Sequence, residues 1–141
     1  MALCAAQVID AYAARLAATG RPVFTSRLWP LAESDLPAWR VTGEGEDIIR
    51  DGFTDGIHEH RLAIQFKAYA RATSDIDDAL HALASTGLAA IFAQPLPFDL
   101  ALTGIDRNTA VEAVGESSMS SIALLATATF YARPQAPDTF I

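Results

Sequence analysis

Val8, Ile9, Tyr12 and Leu16 recur at helical spacing near the start of the chain and predict a helix over residues 2–19. Gly20 and Pro22 end it in the expected order, because glycine accepts a left-handed cap and proline cannot continue a helix. Val23 and Phe24 open a short strand. Trp29-Pro30 and Asp35-Leu36-Pro37 are turn or extended segments, since a residue before proline avoids the α region. Ala38 to Thr42 reads as a strand. Farther on the period changes to two. Leu62, Ile64, Phe66, Ala68 and Ala70 share one face of a strand running to about Ala70, and Arg61, Ala63, Gln65, Lys67, Tyr69 and Arg71 share the other.

A second helix follows. Ser74 is its expected N-cap, and Asp75, Asp77 and Asp78 lie in the first turn, where the helix dipole favours negative charge. Ile76, Leu80, Leu83, Gly87, Leu88, Ile91 and Phe92 form its core face, and Pro95 and Pro97 terminate it. Leu100 to Ile105 is a strand, Asp106-Arg107-Asn108 a turn, and Thr109 to Val114 a strand or connector. Ser117 to Ser121 reads as a polar hairpin turn. Ile122 to Arg133 is a long strand with Ile122, Leu124, Ala126, Ala128 and Phe130 on one face and Leu125, Thr127, Thr129 and Tyr131 on the other.

Residues 43–59 break this regularity. Four glycines (Gly43, Gly45, Gly52 and Gly56) and six acids (Glu44, Glu46, Asp47, Asp51, Asp55 and Glu59) predict a long mobile loop dotted with Ile48, Ile49, Phe53 and Ile57. Two prolines in residues 134–141 predict a frayed tail. The element order predicts one α+β domain over 1–141: an antiparallel or mixed sheet of about four to five strands with two α-helices on one face. The other face would carry Arg61, Lys67, Tyr69, Thr127 and Tyr131, and edge strands would be available to a neighbouring subunit.

Composition narrows the function classes. The chain has 141 residues, enough to bury a core without a metal or disulfide staple. Its single cysteine, Cys4, rules out an internal disulfide and fits a reducing cytoplasm. No run approaches the ~18 apolar residues of a membrane span, and Gln7, Asp10 and Arg15 mark the first helix as amphipathic, not a signal peptide. A net charge of −7 disfavours direct nucleic-acid binding.

Candidate chemistry is sparse. His58 and His60 would share one face of an extended strand and are the only weak metal candidates, with no third ligand paired by spacing. Asp75, Asp77 and Asp78 are explained by capping and the dipole. Gly43-Glu44-Gly45 lacks the lysine and following helix of a phosphate loop. Ser117 to Ser121 has no nucleophile elbow around it. Cys4 reads as inert packing and His81 as helix surface. Trp39 is a core residue in mid-strand, whereas Trp29, in a proline-flanked loop, is a contact candidate. No nucleophile, base and orienter form a set, so the expectation is a non-enzyme with no cofactor.

The segment Glu33-Ser34-Asp35-Leu36-Pro37-Ala38 followed by Val41-Thr42-Gly43-Glu44, then a polar loop, an alternating strand, a helix opened by Ser74-Asp75 and a closing strand Ala123 to Tyr131, resembles the tail terminators of long-tailed phages, the minor tail protein U family. Asp35-Leu36-Pro37-Ala38 and Thr42-Gly43-Glu44 are its near-literal parts. The chain departs from the family pattern at Pro95-Leu96-Pro97 and in its proline-rich tail. The resemblance implies a structural protein, active in a virion tail and made in the bacterial cytoplasm. It would form a homo-oligomeric ring, a hexamer in that family. The ring caps the tail tube, stops its polymerisation and offers a surface to the head–tail connector protein. The acidic loop's own mixture of charge, glycine and isolated apolar residues, not the resemblance, leads to the expectation that it orders on assembly and supplies contacts through Glu46, Asp47, Arg50, Asp51 and Phe53, with Trp29 a further contact candidate. Alternatives are another ring protein of the neck, a small metal-dependent enzyme centred on His58 and His60, and a ligand-binding module with a pocket between sheet and helices.

Overall fold

The computed structural model describes residues 3–25, 31, 33–50, 56–71, 73–93, 96, 98–107, 112–114 and 117–141. Helix α1 (Cys4–Ala17) is followed by β1 (Val23–Phe24), a 3-10 turn (Glu33–Asp35), β2 (Ala38–Ile49), β3 (His58–Arg71), α2 (Ile76–Ile91), β4 (Asp99–Asp106), β5 (Glu112–Val114), β6 (Ser117–Arg133) and β7 (Ala136–Phe140). All seven strands join one sheet, larger than the four or five expected, in the order β1-β2-β3-β6-β4 with β5 and β7 also paired to β6. The β1–β2 pair is parallel and every other pair antiparallel, so the sheet is mixed and the fold α+β.

The period-two pattern builds the core. Register aligns Trp39 with Ala68 and Val41 with Phe66, and across β3 it aligns Phe66 with Leu124 and Ile64 with Ala126. These apolar sets therefore stack on one face, where Val8, Tyr12 and Leu16 of α1 and Leu80, Ala84 and Ile91 of α2 close over them. Burying each valine, leucine, isoleucine or phenylalanine among them stabilises the fold by roughly 1.5–3 kcal/mol. Tyr12 meets the rings of Phe66 and Phe98 edge-on at 5.8 and 5.6 Å. The two helices are tied directly: Arg15 Nη1 donates to the Ile91 carbonyl at 2.7 Å, placing a cation on the negative end of α2.

One close approach sets the height of α2 above the sheet. A Cβ at Gly87 would overlap Cζ2 and Cη2 of the Trp39 indole, so only glycine lets the helix sit on that ring. The C-cap of α1 is Ala18, in the right-handed region, and Gly20 turns the chain two residues later at φ +89°, not at the cap itself. On the other sheet face, Leu31, Ala38, Tyr69 and Met119 form a small second cluster, with Phe24 and Leu36 against it. Tyr69 is therefore buried, although its neighbours Lys67 and Arg71 on that face are not.

Several expectations need correction. The 43–59 segment is not a loop throughout: β2 continues to Ile49 and β3 begins at His58. Gly43 and Gly45 flank a register shift, and Glu44, Glu46 and Asp47 sit on an edge strand that is wet on its outer side. The tail is not frayed along its length, because β7 pairs with β6 and Phe140 packs on Phe98 and Phe130 at 5.5 and 5.6 Å. Ser117 to Ser121 is the start of β6 and not a turn, since Ser117 already pairs with Val114. The cap of α2 is Asp75, one residue later than Ser74, because a backbone turn from Ile76 to the Thr73 carbonyl occupies that corner. Phe92 leaves the core face and is 49% exposed, while Ala84 enters it.

Candidate assembly surfaces

Among the described residues, three surfaces bear on assembly. The first is the outer half of β2, an edge arm of the sheet paired on its inner side to β3. Val41 and Thr42 are buried, but Glu44, Gly45, Glu46, Asp47 and Ile48 are all exposed, Ile48 at 53%. Here Glu46, Asp47 and Ile48 pair with Leu62, Arg61 and His60, so the arm is held by its ladder more than by burial. Its outer side faces no strand among the described residues, since β1 reaches only Trp39 and Arg40.

His60 is the arm's chief anchor. Its Nδ1 lies 2.6 Å from Glu46 Oε1, diagonally across the strand pair, and its ring stacks on Phe130 at 4.9 Å with a 12° tilt. His58, His60, Glu46 and Cys4 all line one cleft of about 240 Å³ beneath the start of α1. Among the described residues, no three His, Cys, Asp or Glu side chains converge in a way that could hold a metal ion. Cys4 is buried at 2% exposure, and its thiol is pushed up from the ordinary value by burial first and then by the Asp138 and Glu46 carboxylates. It is a poor nucleophile in this setting.

The second surface is the sheet face away from the helices. Register puts Arg61, Thr127 and Tyr131 there, with Glu59 and Lys67. Tyr131 donates to Glu59 Oε1 at 3.2 Å, and Arg61 donates to Glu59 Oε2 at 2.9 Å, so one carboxylate gathers both. Partial desolvation, then that hydrogen bond and the Glu59 charge, raise the Tyr131 phenol above its usual value. Lys67 and Arg40 both lie over the Tyr69 ring, at 5.3 and 5.6 Å from its centroid. The β4 edge beside this face has no outer strand among the described residues and carries its own register shift between Leu102 and Gly104.

The third surface lies at the other end of the sheet. A cleft of about 460 Å³ opens between the end of α1, the ends of β2 and β3, and one side of α2. Trp39, Ala79, Leu83 and Thr86 line it, and among the described residues Arg21 and Arg71 are its charged lining. Both arginines are exposed.

Of the sequence-predicted contact residues, Glu46 and Asp47 lie on the exposed arm and Arg50 directly follows it, also exposed. Asp51, Phe53 and Trp29 fall outside the described residues. His58 and His60 do come together on one face, but His60 is held by Glu46 and Phe130. Sequence reasoning missed Arg21, Arg71 and the cleft between them. The arginines are far apart in the chain, and only the strand order makes them neighbours. Ile48 carried a usable signal, a lone large apolar residue among acids. The chain matches no protein-family model and no curated protein. No helix among the described residues is long and apolar enough to cross a membrane.

Proposed function

We propose that this chain is a structural component of a long-tailed phage tail, a terminator whose subunits form a closed ring on the tail tube. The observation that carries the reading is the edge strand β2, whose first half lies in the core while its outer half stands exposed with Glu46, Asp47 and Ile48. A pre-formed, hydrogen-bonded and exposed sheet edge suits a protein whose work is to be gripped by neighbours. The helix-free sheet face, with its Glu59, Arg61 and Tyr131 cluster, offers a second contact surface of mixed charge. The resemblance in Asp35-Leu36-Pro37-Ala38 and Thr42-Gly43-Glu44 adds the identity of the partners: the tube protein on one side of the ring and the head–tail connector on the other.

On this reading the protein is not an enzyme, uses no cofactor, and passes from the bacterial cytoplasm into the virion tail. Subunits joined head to tail close into a ring when the rotation between them closes, and otherwise grow as a filament. The decisive assay adds the purified chain to polymerising tail-tube protein. Tubes that stop growing and carry one capping ring are expected. Tubes that grow unchanged, with the chain bound instead to connector protein alone, would move it to the neck.

A further inference from the structure

The cleft of about 460 Å³ has an unused donor in its wall. Trp39 lines it and is only 1% exposed. Its ring is held by the benzo edge, because Cζ2 and Cη2 lie so close to Gly87 that a Cβ there would overlap them. Its backbone N–H donates to the Pro22 carbonyl at 2.9 Å, but its side chain has no hydrogen-bond partner among the described residues. Ser120 Oγ is also without a partner, and it is sealed from solvent; the indole nitrogen is not sealed. The little exposure left to Trp39 therefore includes its N–H, which opens into the cleft that the residue lines. An indole N–H is a donor only, so nothing but an acceptor can satisfy it. Around it the walls include Ala70, Ala79, Ala82 and Leu83. Apolar walls with a single placed polar group, in a volume of this order, are the form that small-molecule sites take.

We propose that this cleft binds a small molecule with an apolar body and one carbonyl oxygen. The oxygen accepts from the Trp39 indole N–H, and the body lies on Ala79, Ala82 and Leu83. A carbonyl fits this wall because it brings an acceptor and no donor of its own. Gly87 then has a second part in the fold, since it fixes the indole edge that presents the donor. The site goes beyond the ring reading and does not depend on it: it needs no second copy, and it lies at the other end of the sheet from the exposed half of β2.

Two ligands of one shape test it: cyclohexanone, and methylenecyclohexane, in which a CH₂ group replaces the oxygen. Binding to the full chain is followed by the side-chain N–H resonance of Trp39 in isotope-labelled protein. Trp29→Phe assigns that resonance, because Trp29 is the other tryptophan. Cyclohexanone is expected to bind about tenfold tighter than its hydrocarbon twin and to move the indole resonance downfield. Ala82→Phe, with Thr86→Leu as a second cleft-filling change, should abolish the shift; both positions are exposed, so each variant should melt near the wild type. Equal affinity for the two ligands, or a bound ketone that leaves the indole N–H unmoved, would overturn the proposal. So would binding that survives both cleft-filling changes, or no binding of either ligand up to its solubility limit. Cyclohexanecarboxylate that binds without moving the indole resonance, and is lost in Arg21→Gln, would show anion capture at the rim and overturn it as well. Ring formation is read separately, so none of these outcomes bears on the ring reading.

Discussion

The two halves of β2 are paired to the same strand by the same ladder, yet they live under different physics. In the inner half Trp39, Val41, Ile64 and Phe66 are each at or below 1% exposure. In the outer half Glu44 to Ile48 face water. The inner half owes its structure to burial, the outer half to cross-strand hydrogen bonds and the His60–Glu46 pair. Hydrogen bonds exchanged for bonds to water contribute only about 0.5–1.5 kcal/mol each. The lesson is that the arm is ordered without contributing much to stability, which leaves its side chains at liberty to serve an interface.

Mutations should separate the halves cleanly. The largest effect belongs to the inner half: Phe66→Ala removes the ring that Tyr12 and Leu124 pack on and should cost about 3–5 kcal/mol in urea unfolding. Gly87→Ala comes next. A methyl group there meets the Trp39 indole, so overpacking should cost about 1–3 kcal/mol, a loss that Trp39→Phe in the same chain should partly relieve. The smallest effect belongs to the arm. Ile48→Ser should change unfolding free energy by no more than about 0.5 kcal/mol while weakening self-association, so a large stability loss there would erase the distinction between the halves.

Alkaline pH probes the inner side in a different way. Cys4 and Tyr12 both have protonation equilibria shifted upward, chiefly by burial. The folded state thus keeps protons that the unfolded chain releases once pH passes the ordinary values of 9.0 and 10.0. More protons are bound in the folded state there, so stability is full below about pH 9 and falls as pH rises. Unfolding midpoints at pH 8 and pH 10 should show the decline, and Tyr12→Phe should flatten part of it.

Hydrophobic alternation made the inner ribbon legible in the sequence. The alternation in Leu62 to Ala70 and Ile122 to Phe130 predicts the face that the structure buries, because one side of each strand has to be apolar. Both helix faces followed from spacing, and Trp39 was placed correctly in the core. The arm, the Ser117–Ser121 segment and β7 were not legible, for one shared reason. Their strand character comes from a partner already in the sheet, and polar or mixed side chains give it no local signature. The cleft was hidden for a related reason. Arg21 follows α1 and Arg71 ends β3, and nothing in either neighbourhood announces the other. Gly87 was legible as a core-facing position, but its necessity appears only when Trp39 is seen beneath it.

The central claim is that an exposed arm on a packed body makes this chain a ring-forming subunit. Absolute mass in solution, by light scattering over a concentration series with electron micrographs of the large species, tests it most directly. The account predicts a closed ring of about six copies that falls apart when the arm's charges are reversed. A strict monomer at every concentration, unchanged in the presence of tube protein, would contradict it.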